Sequence, residues 1–73
     1  MILPDLTPQQ REVLQMLAHG WTSDEIAREM GISRSGVSMH LYRARERLGT
    51  ETTAQTVAVA VGRGYVRWEL PGR

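Results

Sequence analysis

Residues Ser33 to Leu48 read SRSGVSMHLYRARERL, and this stretch decides the fold. In an α-helix, successive side chains turn by about 100°, so residues three and four apart share a side. One side of this stretch is apolar and consists of Val37, Leu41, Ala44 and Leu48. The opposite side carries Ser35, Ser38, Met39 and Tyr42, flanked by Arg34, Arg43, Arg45 and Arg47. The stretch therefore predicts a helix with one buried side and one polar, arginine-edged side.

The polar side has two interpretations. Short polar side chains that meet base edges, with arginines that meet phosphates, suit a helix lying in a DNA groove. A solvated surface with scattered arginines is the simpler alternative. Residues 33–48 hold four arginines and one glutamate, a charge of +3, whereas residues 1–32 carry −3 and residues 49–73 carry +1. Unless this clustering is chance, it favours an anionic partner for this helix.

The composition excludes several classes of protein. A chain of 73 residues is expected to form one domain. It has no cysteine and only two histidines, so we predict neither a metal site nor a cofactor. No spacing of serine, histidine and acid suggests a nucleophile with its base, so we predict no catalytic residues and no enzyme. Without a long apolar run or a leader, we expect a cytoplasmic protein that does not contact membranes.

Two helices are predicted before Ser33. Thr7 caps the first, which runs from about Pro8 to His19, and Gly20 ends it. The second begins with the capping box of residues 22–25, runs from about Ser23 to Met30, and ends at Gly31. The predicted inward residues are Val13, Leu14, Leu17, Ala18, Ile26, Ala27, Met30 and Ile32. A short helix, a glycine turn and a longer basic helix make a helix-turn-helix arrangement.

A fourth helix is predicted from about Thr53 to Arg63, capped by Thr52 and closed by Gly64. The run of residues 57–61 is rich in valine and could form a strand, but the caps, the alanines and the lack of a partner strand favour a helix. Its predicted inward residues are Val57, Ala60 and Val61. Thr56, Val59 and Arg63 are then left on an outer face, which is either a dimer contact or simply exposed.

The chain divides into a lead-in at residues 1–6, a domain at residues 7–64 and a tail at residues 65–73. Trp68 is predicted to fold back on the core, because a small domain gains much from one buried aromatic. A tail that binds a partner is the alternative. Residues 71–73 are predicted to fray.

The order of these residues resembles the DNA-binding domain of LuxR-type (GerE-like) transcription regulators, over roughly Leu6 to Val66. The matching positions are Leu6-Thr7-Pro8, Arg11-Glu12-Val13-Leu14, Gly20, Glu25-Ile26-Ala27, Gly31-Ile32-Ser33, Val37, His40 and Leu48-Gly49. The resemblance implies an all-α fold, with a tri-helical core plus a C-terminal helix. It also implies a third helix in the major groove and a fourth that commonly forms a two-fold dimer. The chain is similar in size to stand-alone members, or it is an excised domain.

The resemblance also implies roles for individual residues. Those expected to read bases are Ser38, Met39 and Tyr42. Those expected near the DNA backbone are Thr22, Arg34, Ser35, Arg43, Arg45 and Arg47. His40 matches a half-buried histidine that supports the helix. Where the family usually has Thr-Val-Lys, this chain has Gly36-Val37-Ser38, which implies weaker binding or a different target sequence.

These observations predict a nucleoid-associated, sequence-specific regulator that binds double-stranded DNA as a homodimer. Two alternatives are open. Residues 42–48 also resemble the promoter-reading fourth region of sigma factors, although the ending Gly64-Tyr65-Val66 favours the LuxR type. The loss of the lysine also suits a module that binds RNA polymerase or another regulator instead of DNA.

Overall fold

The computed structural model describes residues 6–67, which form four α-helices. They are α1 (Pro8–Ala18), α2 (Ser23–Met30), α3 (Arg34–Leu48) and α4 (Thr53–Gly62). Residues 6–67 contain no strand, so the predicted all-α class and the helical reading of residues 57–61 are confirmed. Within this range α3 contacts every other helix, whereas α2 and α4 do not contact each other. α1 also contacts the other three helices, so α1 and α3 together form the centre against which α2 and α4 pack.

Three of the helices begin with a reciprocal capping box, as the sequence predicts. The Thr7 Oγ1 atom accepts a hydrogen bond from the Gln10 backbone N–H at 3.1 Å, and the Gln10 side chain accepts one from the Thr7 N–H at 3.1 Å. The same exchange joins Thr22 to Glu25 and Thr52 to Gln55. These bonds satisfy N–H groups that the first turn of a helix leaves without partners.

The turn between α2 and α3 depends on one glycine and one serine. Gly31 has a φ of +70°, a left-handed conformation that favours glycine. The Ser33 hydroxyl then accepts a hydrogen bond from the Gly36 N–H at 3.0 Å and caps α3. Together they end α2 and begin α3 within three residues.

The core lies between α3 and the other three helices. Its fully covered apolar side chains are Val13, Leu14, Ile26, Val37, Ala44 and Ala60. Leu41 and Leu48 complete the predicted apolar stripe of α3. Leu17, Met30, Ile32, Val57 and Val61, all predicted to face inward, pack against this core but are only partly buried.

The prediction that Thr56 lies on an outer face of α4 is wrong. Thr56 is 0% exposed, and its hydroxyl donates to the Thr52 carbonyl oxygen at 2.7 Å. It also lies 2.6 Å from the Thr50 hydroxyl. Val59, placed on the same outer face, is only partly exposed and packs against the core, whereas Arg63 is exposed. Residues 57–61 are apolar on all sides, so hydropathy alone did not fix the rotation of the helix about its axis.

The chain after α4 returns to α1. Val66 is buried, and the Gln15 side-chain amide donates to the Arg67 carbonyl oxygen at 2.8 Å. The Arg67 N–H in turn donates to the Gln15 Oε1 atom at 3.0 Å. The first residues of the predicted tail are thus held against α1. The predictions for Trp68 and for residues 71–73 lie outside the described residues.

Candidate nucleic-acid interface

The outer side of α3 exposes the three residues predicted to read bases. Ser38, Met39 and Tyr42 are all solvent-exposed, Met39 to 49% and Tyr42 to 50%. Val37, Leu41 and Ala44 on the inner side of the same helix are buried, so the orientation of α3 is fixed by its own core contacts. The outer side is consequently held out from the domain on a rigid support.

Six residues of α3 form one shallow, open depression on this outer side. They are Arg34, Ser35, Ser38, Met39, Tyr42 and Arg45. Its rim is basic, and its middle contains hydroxyl and apolar groups. The Arg45 guanidinium carbon lies 6.0 Å from the centre of the Tyr42 ring, at the outer limit of a cation–π contact. The structure therefore brings together all three predicted base readers and three of the predicted backbone contacts.

The other predicted arginines lie on the opposite flank of α3. Arg43 and Arg47 are exposed and border a second depression, with Glu46 and with Thr7 and Gln10 at the start of α1. The row of exposed Ser38, Met39 and Tyr42 thus has guanidinium groups on both flanks. A groove of duplex DNA has the matching arrangement, since two phosphate backbones border one row of base edges.

Thr22 stands apart from both depressions, at the start of α2. It is exposed, and its hydroxyl already accepts the hydrogen bond of the Glu25 N–H at 3.2 Å. Asp24, in the first turn of the same helix, forms an ion pair with Arg34. The Arg34 Nε atom lies 3.0 Å from the Asp24 Oδ1 atom, and both side chains are more than half exposed. A carboxylate thus accompanies one of the predicted phosphate-binding arginines.

His40 is half-buried, as the resemblance implied for the matching position. Among residues 6–67, no three histidine or acidic side chains are grouped so that they could hold a metal ion. In the same part of the chain, no helix combines the length and apolarity needed to cross a membrane.

A second surface lies between α1 and α4. It is a mostly apolar groove whose lining residues are Leu17, Thr53, Ala54, Val57, Ala58 and Val61. This groove, and not the predicted set of Thr56, Val59 and Arg63, is the apolar outer face of α4. We call this surface the α4 groove. No charged side chain lines it.

The fold and the exposed helix define a four-helix domain of the helix-turn-helix class. Residues 4–60 match the family model for GerE, described as bacterial regulatory proteins of the luxR family. The chain belongs to this family of transcription regulators, as the sequence analysis predicted.

Two curated relatives illustrate the range of the family. The chain is 44% identical over 59 residues to the probable transcriptional regulatory protein SgaR of Hyphomicrobium methylovorum, an alignment that covers 81% of this chain. The chain spans only 28% of the length of SgaR. It is 39% identical over 54 residues to the spore germination protein GerE of Bacillus subtilis, covering 74% of this chain and 73% of GerE.

Solved structures agree with this fold. The structure of the transcription factor GerE superposes with a TM-score of 0.84, covering 88% of this chain and 96% of that one, at 23% identity. At that identity the match shows the fold alone. The LuxR-type receptor VqmA of Vibrio cholerae superposes with a TM-score of 0.81 at 33% identity, covering 92% of this chain and 31% of VqmA.

Proposed function

We propose that this domain binds double-stranded DNA sequence-specifically, with the outer side of α3 in the major groove. The observation that carries the proposal is the row of exposed Ser38, Met39 and Tyr42 between two arginine flanks. Helices of helix-turn-helix proteins read base edges from such a face. VqmA, which shares the fold, is described as a dimer that has a target DNA.

The residues divide into two roles under this proposal. Ser38, Met39 and Tyr42 select the sequence, because they occupy the middle of the face. The residues that hold the phosphate backbones are Thr22, Arg34, Ser35, Arg43, Arg45 and Arg47. Arginine contacts to phosphates release counterions, so binding should weaken as salt rises.

The test is retention of labelled random duplexes at low salt, followed by enrichment of a sequence. We expect wild-type protein to retain duplex and to enrich one motif. The Tyr42→Ala variant should retain duplex but change the motif, because it alters a base-reading position and leaves every arginine in place. No retention by the wild type at low salt would contradict the proposal.

We further propose a homodimer that uses the α4 groove. Exposed alanines and half-buried valines with no charge among them suit a contact between two copies, and a two-fold pair would place two α3 helices on successive major grooves. Ala58→Glu puts a carboxylate into the groove and should leave a monomer in sedimentation. Gln9→Glu adds the same charge at an exposed position of α1 and should leave the association unchanged. An equal response of the two variants would contradict the dimer.

A second candidate function follows from Gly36 and Ser38, which stand where the family usually has threonine and lysine. With no lysine in the middle of the outer side of α3, the domain would instead bind a protein partner such as RNA polymerase or another regulator. The retention experiment separates the two: a protein-binding module would hold no duplex even at low salt.

A DNA-binding domain would place the protein in the nucleoid.

A further inference from the structure

Met39 and Tyr42 are unusual among the large apolar side chains of residues 6–67. They are the only two that the fold leaves exposed, each with about half of its surface in solvent. They lie three positions apart on one side of α3, where side chains are neighbours. Their exposed apolar surface is thus a single patch in the middle of the base-reading depression.

The middle of the depression lacks the side chains that read most bases. Arginine or lysine reads guanine, asparagine or glutamine reads adenine, and a carboxylate reads cytosine. Between the rim arginines stand only Ser35, Ser38, Met39 and Tyr42. Of the features that base pairs display in the major groove, the apolar one is the 5-methyl group of thymine.

The two arginines at the rim are already engaged with neighbouring side chains. Arg34 is paired with Asp24 at 3.0 Å, and Arg45 lies over the Tyr42 ring at 6.0 Å. Both arginines thus have a neighbouring side chain, and the apolar surface between them comes from Met39 and Tyr42.

We infer that Met39 and Tyr42 recognise thymine through its 5-methyl group, so that each half-site carries thymines opposite these two side chains. The inference rests on the proposed binding of α3 in the major groove. The apolar patch of Met39 and Tyr42 would then bind the thymine methyl group. The Ser38 hydroxyl can donate or accept a hydrogen bond at an adjacent base edge.

Deoxyuridine tests this inference, because it differs from thymidine only by the missing methyl group. A duplex enriched by the wild-type protein is resynthesised with deoxyuridine in place of each thymidine in turn, and the dissociation constants are compared. Burial of one methyl group predicts about a fourfold loss of affinity at each contacted thymine. Thymines that face away from the protein should tolerate the change and serve as internal controls.

The side chains are assigned by combining the base change with protein variants. Met39→Ala should bind the thymine and uracil forms equally at one position, and Tyr42→Ala should do so at another. Ser35→Ala should retain the full difference at both. All three positions are exposed, and far-ultraviolet circular dichroism will show that the variants fold.

Three results would overturn the inference. One is an enriched motif without thymine, and another is equal affinity for all uracil-substituted duplexes. The third is a loss of affinity on uracil substitution that stays the same in Met39→Ala and Tyr42→Ala. In each case the domain still binds DNA, so the proposed function survives. If the wild-type protein enriches no sequence, both fail together.

Discussion

The Arg34 Nε atom of α3 lies 3.0 Å from the Asp24 Oδ1 atom of α2, across the turn of the helix-turn-helix. Both side chains are exposed, so the pair adds little to stability, about 0.2–1 kcal/mol for pairs of this kind. Its consequence concerns binding. A phosphate that binds Arg34 must either displace the Asp24 carboxylate or share the guanidinium with it, and in both cases it approaches a negative charge.

The Asp24→Asn variant should therefore bind duplex DNA more tightly at low salt. It removes the competitor of Arg34 and one negative charge beside the interface, and the gain should shrink as salt screens the charges. Binding isotherms at two or more salt concentrations measure the effect. Glu51→Gln removes the same charge beyond the far end of α3, about 20 Å away along the helix. It should change affinity less, and equal effects of the two variants would show that Asp24 has no specific influence on Arg34.

Arg43→Ala should weaken binding to all sequences alike. Arg43 is exposed on the flank of α3 beyond the base-reading row, where we expect it to contact a phosphate and not a base. Loss of one phosphate contact should reduce the slope of log affinity against log salt by about 0.9. Arg11→Ala, on the outer side of α1, is the matched control. A changed sequence preference with an unchanged slope would move Arg43 into the base-reading set.

Gly36→Ala should stabilise the domain by about 0.5 kcal/mol, because alanine restricts the unfolded chain more than glycine does. A methyl group at position 36 would lie 3.4 Å from the Ile32 side chain and 3.5 Å from the Ser33 hydroxyl, which are ordinary contacts. Gly49→Ala should instead destabilise by about 1 kcal/mol, because the φ of +71° there is left-handed. Urea unfolding measures both, and a loss of stability for Gly36→Ala would show that α3 is more tightly packed at its start.

Thr56→Val should lower the free energy of unfolding by about 1 kcal/mol. The substitution keeps the shape of the side chain but removes the hydroxyl that joins the Thr52 carbonyl to the Thr50 hydroxyl. Thr56→Ser retains that hydroxyl and loses only the methyl group. If Thr56 were a dimer contact, Thr56→Val would change the association state and leave monomer stability unaffected, which sedimentation and urea unfolding together would detect.

The helix starts and the turn of the helix-turn-helix were predictable because they depend on local chemistry. Thr7, Thr22 and Thr52 each stand three residues before a glutamine or glutamate, and each forms the expected capping box. The left-handed Gly31 of the turn was equally predictable, since few other residues adopt a φ of +70°. The inner side of α3 followed from its single apolar stripe.

The remaining features depend on groups that are distant in sequence or on surfaces without a pattern. The rotation of α4 was not predictable, because residues 57–61 are apolar on all sides and the buried Thr56 hydroxyl finds its partners in the Thr52 carbonyl and the Thr50 hydroxyl. The contact of Gln15 with Arg67 joins residues 52 positions apart. The Asp24–Arg34 pair also needed the angle between α2 and α3. Each of these polar side chains could equally well be exposed to water. The sequence alone therefore did not predict that it would contact another part of the protein.

The central claim, that the outer side of α3 is the DNA-binding surface, is tested most directly by titrating the isotopically labelled domain with duplex DNA and following the backbone amide resonances. A duplex enriched by the wild-type protein is used, with an unrelated duplex as the control. The account predicts that the largest shifts fall on residues 34–47, centred on Ser38, Met39 and Tyr42. Shifts confined to the α4 groove, with residues 34–47 unchanged, would contradict it.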